Sequence, residues 1–166
     1  MSILGSFNQP NVVELKSQSD VEGLIEALNY EKDHNVRLAA ASALGKLEDA
    51  QAVEPLIEAL NDRREVKEVA ILSLGKIGDP VAVEALTDML TDKNWEIRGS
   101  AAKALGQIGD LRGVRPLIDA VEDRNESVRW TAANALTSIT GQTFGEDAAQ
   151  WEQWWVQNQS DNEIVD

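Results

Sequence analysis

The feature that most constrains this chain is a pair of sequence segments that occurs four times at nearly constant spacing. The first segment, DVEGLIEAL at Asp20, returns as AVEPLIEAL at Ala52, AVEALTDML at Ala82 and GVRPLIDAV at Gly113. Each copy is followed by a second segment, and these read NVRLAAASALGKL, EVKEVAILSLGKI, EIRGSAAKALGQI and SVRWTAANALTSI. A repeat of this length is typical of solenoid proteins, in which one supersecondary unit is stacked several times.

Both segments carry the periodicity of amphipathic helices. Apolar residues recur at i, i+3, i+4 and i+7, which places them on one helix face. In the first segment of the second copy they are Val53, Leu56, Ile57 and Leu60. In the second segment of the first copy Val36, Ala40, Ala43, Leu44 and Leu47, at i, i+4, i+7, i+8 and i+11, form a stripe of the same kind. Each copy is therefore predicted to be a helix pair, and since one pair cannot bury its apolar faces alone, the pairs must stack.

A glycine recurs inside the second segment of three copies, at Gly45, Gly75 and Gly106, while Thr137 takes the fourth place. Glycine inside a helix costs about 1 kcal/mol of helix stability relative to alanine. A cost that recurs three times predicts a close approach of neighbouring helices at this position.

The connections between repeats carry turn signals. Gly78 and Gly109 stand where helix C-caps are expected, and Asp79 and Asp110 follow as N-caps of the next helix.

A second set of aspartates marks the turn inside each repeat: Asp33, Asp62, Asp92 and Asp123. One interpretation is weak binding of divalent cations. The interpretation we favour is a ladder, in which the aspartates accept hydrogen bonds from backbone amides or pair with a cation of an adjacent repeat. The cations in register are Arg37, Arg98 and Arg129, with Lys67 as the substitute in the second repeat.

These motifs resemble the HEAT-like repeats first named after phycobilin lyases, in the form found in small prokaryotic members. The resemblance covers residues 20–140, through VEPLIEAL and ALGQIGD in particular. The chain departs from the pattern at Lys67, where arginine is usual, and at Thr137, where glycine is usual. The resemblance implies an all-α fold, a right-handed α-α superhelix of four helix pairs whose second helices line the concave face.

We expect capping segments at both ends of four repeats, which span residues 20–51, 52–81, 82–112 and 113–140. Residues 1–19 would form the N-terminal cap with a short helix over 11–17, and residues 141–159 a C-terminal helix started by Asp147. Trp151, Trp154 and Trp155 share one face of that helix. They would cover the end of the solenoid, the alternative being an aromatic ligand cage. Residues 160–166 would be an acidic tail. Both ends resemble those of complete family members.

Charge and composition exclude several classes of function. The net charge is −14, with no lysine or arginine after Arg129, so we expect no nucleic-acid binding. The chain has no cysteine and one histidine, His34. It therefore cannot build the repeated His-Glu iron site of relatives that resemble deoxyhypusine hydroxylase. We predict no cofactor, no metal site and no catalytic residues. The N-terminus lacks a signal peptide and no stretch is long and apolar enough to span a membrane, so we expect a cytoplasmic protein.

A helical wheel centred on the core stripe predicts which side chains of the second segments point away from the core. The predicted concave-face residues are Leu38, Ser42, Glu68, Leu72, Trp95, Lys103, Trp130 and Asn134. Several of these positions hold large apolar side chains, whereas a surface that binds no partner would be polar. Tryptophan is enriched among residues that carry binding energy at interfaces.

We therefore expect a non-catalytic scaffold or assembly chaperone, a monomer or weak dimer, that binds another protein through its concave face. The alternative is a bilin lyase or a phycobiliprotein chaperone-like factor, and it rests on the resemblance alone.

Overall fold

Helices account for all of the regular secondary structure in residues 9–162, the part of the chain that the computed structural model describes. This confirms the predicted all-α solenoid. The helices of this region are α1 (Val12–Ser17), α2 (Val21–Leu28), α3 (His34–Leu47), α4 (Val53–Glu58), α5 (Arg64–Ile77), α6 (Val83–Met89), α7 (Trp95–Ile108), α8 (Val114–Ala120), α9 (Glu126–Thr140) and α10 (Ala148–Asn162).

The helix boundaries follow from capping side chains and positive-φ residues. The Asp33, Asn94 and Asn125 side chains accept backbone N–H groups at the starts of α3, α7 and α9. Gly78 and Gly109 have φ of 74° and 77°, which confirms their predicted place at helix C-termini. Asp79 and Asp110 then cap short 3-10 turns (Pro80–Ala82 and Leu111–Gly113) that lead into α6 and α8.

The helices form two layers joined into one continuous core. Each first helix (α2, α4, α6, α8) packs on the second helix of its own repeat (α3, α5, α7, α9). The second helices also pack directly on one another in series, whereas successive first helices meet mainly through the 3-10 turns between them. Because the second helices lie closer together, they line the inner, concave side of the stack. Fully buried Leu44, Leu74, Leu105 and Leu136 occupy the same register in the four repeats.

The recurring glycines mark the closest contact between second helices. A Cβ added at Gly106 would lie 2.8 Å from the Ala135 Cα, and one at Gly75 would lie 2.9 Å from the Ala104 Cα. At Gly45 the facing residue is Ser73, 2.8 Å away at its Cα. These distances confirm the predicted close approach. Thr137 stands in α9, which no further second helix follows, so the constraint that requires glycine is absent there.

Each end of the stack carries one additional helix. The predicted N-terminal helix is confirmed as α1, which is capped by Asn11 and packs on α2 and α3. At the other end α10 begins after Asp147 and packs on α8, so it extends the layer of first helices. It runs to Asn162, three residues beyond the predicted end at 159. Residues 163–166 of the predicted acidic tail lie outside the described residues.

Candidate functional site

The turn aspartates form an ion-pair ladder between neighbouring repeats. Arg37 binds Asp62 through both oxygens, with Nε–Oδ2 at 2.5 Å and Nη2–Oδ1 at 2.9 Å. Arg98 binds Asp123 in the same way, at 2.7 and 2.8 Å. The favoured ladder interpretation is therefore confirmed for Asp62 and Asp123, whereas Asp33 of the first repeat accepts hydrogen bonds from the Asn35 backbone and side chain.

Each arginine of the ladder also donates a hydrogen bond to a backbone carbonyl in the turn of its own repeat. The Arg98 Nη1 donates to the Asp92 carbonyl at 2.9 Å, and the Arg129 Nη1 donates to the Asp123 carbonyl at 3.1 Å. Because one planar guanidinium has five donors, it can satisfy two turns at once. After the last repeat Arg129 pairs with Glu146 of the closing segment at 3.0 Å, so the ladder continues into the C-terminal cap.

Lys67 forms the second contact of this ladder with a single bond. Its Nζ lies 2.9 Å from Asp92 Oδ2, and its side chain is 21% exposed where Arg98 is 5% exposed. An ammonium is a point charge on a flexible stem and cannot reproduce the fork of a guanidinium. The junction between the second and third repeats is therefore held less firmly at this edge.

Hydrogen bonding from the cations lowers the pKa of the ladder aspartates. The Arg37 guanidinium lowers the pKa of Asp62, and that of Arg98 lowers the pKa of Asp123, in each case against the opposing effect of burial. Burial is the largest influence on Asp92 and raises its pKa. The Asn94 backbone N–H and Lys67 together outweigh it, so the net pKa shift is downward. Contacts within the ladder thus account for the direction of these pKa shifts.

The single histidine belongs to no metal-binding group in the described part of the chain. His34 is half-buried at the first position of α3. Among the side chains of residues 9–159, no set of three histidine, aspartate or glutamate groups converges in a way that could hold a metal ion.

The concave side presents two tryptophans to solvent. Trp95, at the start of α7, is 46% exposed, and Trp130, on α9, is 64% exposed. A depression of about 370 Å³ lies beside Trp95 and is also lined by Glu68, Leu72 and Lys103. A second depression, of about 500 Å³, is lined by Trp130, Asn134 and again Lys103. The two share Lys103 and Thr131, so they form one continuous groove across α5, α7 and α9.

Two of the predicted concave-face residues lie apart from this groove. Leu38 and Ser42 are half-buried on α3 and line neither depression. Leu38 packs against the core, so the prediction that it points away from the core is wrong. The reason lies in the stacking. Its equivalent in the third repeat, Gly99, faces the Val128 side chain of the next second helix, with 4.0 Å from an added Cβ to Cγ2.

The groove also contains polar residues that the helical wheel did not single out. Ser100, Gln107, Ser127, Thr131 and Ser138 line it with their small or amide side chains. Alignment of the repeats could have identified them, because Ser100 and Thr131 occupy equivalent positions, as do Gln107 and Ser138. They supply hydrogen-bonding groups between the two tryptophans.

The C-terminal tryptophans serve chiefly to close the stack. Trp151 is fully buried, its Nε1 donates to the Gly145 carbonyl at 2.7 Å, and Phe144 packs edge-on against its ring at 4.8 Å. Trp154 and Trp155 are half-buried against the core and also line an end depression of about 660 Å³ with Leu111 and Ile139. The capping interpretation accounts for Trp151, which cannot contact a ligand.

Within the described part of the chain, no helix combines the length and the apolar character needed to cross a membrane.

Comparison with known families gives one match at the level of sequence. The profile of HEAT repeats matches residues 21–101 and 83–151. No curated protein matches the chain.

Solved structures with similar folds include natural and designed solenoids. The complex of CpcE and CpcF of phycocyanin lyase from Nostoc sp. PCC7120 contains a chain that is 27% identical, with a TM-score of 0.69 over 87% of this chain. An engineered protein is 26% identical, with a TM-score of 0.64 over 78% of this chain and 66% of its own. A computationally designed armadillo repeat protein for modular peptide recognition matches at 18% identity and a TM-score of 0.58, over 77% of this chain and 68% of its own, which supports the fold alone.

The match covers a smaller share of the lyase component than of this chain. The chain spans 59% of the length of that component. The fold and the type of repeat are therefore shared.

Proposed function

The chain belongs to the HEAT-repeat family, and on that premise we propose that it is a non-catalytic interaction scaffold or assembly chaperone that binds a partner protein through its concave groove. The observation that carries the proposal is the exposure of Trp95 and Trp130 beside one continuous groove. A partner that covers two indole rings gains roughly 25 cal/mol for each Å² of apolar surface removed from water. Tryptophan also loses little rotamer entropy on docking, because only two side-chain torsions become fixed.

Site-specific photo-crosslinking tests the location of the partner. A photoreactive phenylalanine analogue is placed at Trp95 or at Trp130, and the protein is exposed to light in extract of its source cells. Matched control positions are Glu54 and Glu84, which are exposed on the first helices of the outer side. We expect one protein to be captured from both groove positions and from neither control. Equal capture from the outer positions would place the partner on another surface.

Affinity for the captured partner then measures how much the tryptophans contribute. Each Trp→Ala change should weaken binding by roughly 2 kcal/mol, about thirtyfold. The double variant should keep its helical circular dichroism, because both rings are largely exposed. A double variant that unfolds would show that the rings hold the repeats together. A folded double variant with full affinity would rule out this groove.

A second candidate function is a bilin lyase or phycobiliprotein chaperone-like factor. It is favoured by the similarity to a component of phycocyanin lyase over 87% of this chain. The test is to incubate the purified chain with phycocyanin apoprotein and free bilin, and to record visible absorbance of the denatured product. Covalent chromophore above the level without the chain would support this candidate. The same level with and without it would leave the scaffold as the better proposal.

A further inference from the structure

Gly99 is a glycine inside a second helix that the packing of the stack does not explain. At Gly45, Gly75 and Gly106 an added Cβ would lie 2.8–2.9 Å from a backbone atom of the next second helix. At Gly99 the added Cβ would meet only the Val128 Cγ2 among the described residues, at 4.0 Å, which is an ordinary van der Waals contact. Because glycine lowers helix stability relative to alanine, its presence here has a cost that no contact within the described chain requires.

The fold accepts a side chain at this position in every other repeat. The equivalent residues are Leu38, Glu68 and Trp130. Leu38 packs against the core, Glu68 is half-buried and Trp130 is 64% exposed. Aliphatic, charged and aromatic side chains are therefore all compatible with the stack at this register. The missing side chain of Gly99 is a local feature of the third repeat.

This missing side chain opens the depression beside Trp95. Trp95 and Lys103 lie one helical turn before and one turn after Gly99, so the three share a face of α7. All three line the depression of about 370 Å³, and Leu72 of α5 lines it from the preceding repeat. The gap at Gly99 is thus bounded by an indole ring, the methylene stem of a lysine and a leucine side chain, which all offer apolar surface.

The charges around this gap favour a neutral occupant. Glu96 is already paired with Arg64, at 2.6 Å. The other charged residues of the lining are one carboxylate, Glu68, and one ammonium, Lys103, so neither sign is in excess. A charged side chain that entered would lose hydration and meet a like charge as well as an opposite one. An apolar side chain would instead remove the indole face from water, which is favourable.

We infer that Gly99 determines the specificity of the groove by keeping open a socket, bounded by Trp95, Leu72 and Lys103, for one bulky neutral apolar side chain of the partner. This inference rests on the proposed docking function and specifies which part of the groove selects the partner. The expected side chain is of leucine to tryptophan size. The partner would thus supply, in the third repeat, the side chain that the chain itself supplies at the same register in its other three repeats.

Peptides selected on the intact chain from a phage-displayed random library test the inference before the natural partner is identified. Two variants fill the socket: Gly99→Ala, and Gly99→Leu with the residue that the first repeat holds there. Ser42→Ala is the matched control, because it also raises helix propensity in a second helix but lies outside both depressions. Thermal unfolding checks the fold, and Gly99→Ala should melt above the parent.

We expect the selected peptides to share one leucine, methionine or aromatic residue. They should bind Gly99→Leu at least about tenfold more weakly than the parent, bind Gly99→Ala with intermediate affinity, and bind Ser42→Ala as they bind the parent. Full affinity for Gly99→Leu, equal weakening by Ser42→Ala, a shared acidic or basic residue in place of the apolar one, or no selected peptide would overturn the inference. So would a Gly99→Ala variant that melts below the parent, since the glycine would then be required by packing.

A double-mutant cycle shows whether the shared peptide residue occupies the socket itself. Replacing that residue by alanine should weaken binding to the parent by at least about tenfold and to Gly99→Leu by less than about twofold, because the filled socket no longer contacts it. Additive losses would mean that the residue binds elsewhere and would overturn the inference.

The same peptides separate this inference from the proposal on which it rests. Peptides that require Trp95 and Trp130 but bind Gly99→Leu at full strength would preserve the docking groove and overturn the socket. Peptides that are insensitive to Trp95→Ala and Trp130→Ala would overturn the docking groove itself, and with it the inference.

Discussion

Neighbouring repeats are joined in two places by two different kinds of contact. Along the concave side runs a seam of small residues, where Gly106 touches the backbone of Ala135 and Gly45 touches that of Ser73. Along the turns runs the ladder, where Arg98 and Asp123 meet through paired hydrogen bonds. The seam requires glycine because a Cβ at that position would overlap the neighbouring helix, so it excludes any larger side chain. The ladder depends on charge and reach, so it accepts a lysine in one position at reduced strength.

The largest effect is expected where both contacts end, at the C-terminal cap. Trp151→Ala removes a fully buried indole and its bond to the Gly145 carbonyl. It should lower the free energy of unfolding by about 3–5 kcal/mol, measured by urea denaturation. Trp154→Ala is the control, since that ring is half-buried, and it should cost clearly less. Equal losses for the two variants would mean that Trp151 does not hold the cap.

Substituting the aspartate of each contact compares how much the arginine and lysine contacts of the ladder contribute to the free energy of unfolding. Asp123→Asn leaves the Arg98 guanidinium with 5% of its side chain exposed and without a counterion. This should cost about 3 kcal/mol. Asp92→Asn should cost about 1 kcal/mol, because Lys67 is more exposed and can turn toward water. Urea denaturation of both variants measures the difference. A greater cost for Asp92→Asn would contradict the ranking.

Two glycines of α7 test the seam within a single helix. Gly106→Ala adds a Cβ at 2.8 Å from the Ala135 backbone, whereas Gly99→Ala adds one whose nearest neighbour is 4.0 Å away. Both changes gain about 1 kcal/mol of helix propensity. Overpacking of about 1–3 kcal/mol applies only at Gly106. Thermal unfolding should therefore show Gly99→Ala above the parent and Gly106→Ala below it, and the reverse order would refute the steric account.

Acidification should produce the smallest effect, and it should weaken the ladder without affecting the glycine contacts of the seam. The pKa of Asp123 is lowered in the folded protein, so its contribution to stability is complete above its unfolded pKa of about 3.9. That contribution is lost as the pH falls through the folded pKa. The difference in unfolding free energy between the parent and Asp123→Asn should be constant from pH 7 to about 5 and shrink below about 4. The difference between the parent and Gly106→Ala should stay constant throughout.

The seam and the ladder were both predictable because each repeats. A glycine at Gly45, Gly75 and Gly106 carries a recurrent helix cost that only a packing requirement explains. The turn aspartates recur in step with cations. Leu38 was misplaced because a wheel drawn for one helix takes no account of the surrounding helices, whose shared core this side chain packs against. The end of α10 was also misjudged, since its last turn has no equivalent elsewhere in the chain from which its length could be inferred.

The reach of the ladder has a consequence for how the molecule folds. In each of the three contacts between repeats the partners are 25 residues apart. Loop closure over so short a distance is cheap in chain entropy, so a repeat can form as soon as its neighbour exists. The stability of the stack is then approximately the sum of the stabilities of single repeats and of the interfaces between neighbouring repeats. Among the three ladder contacts, the one formed by Lys67 adds least to this coupling, because it has a single hydrogen bond where the arginines have two.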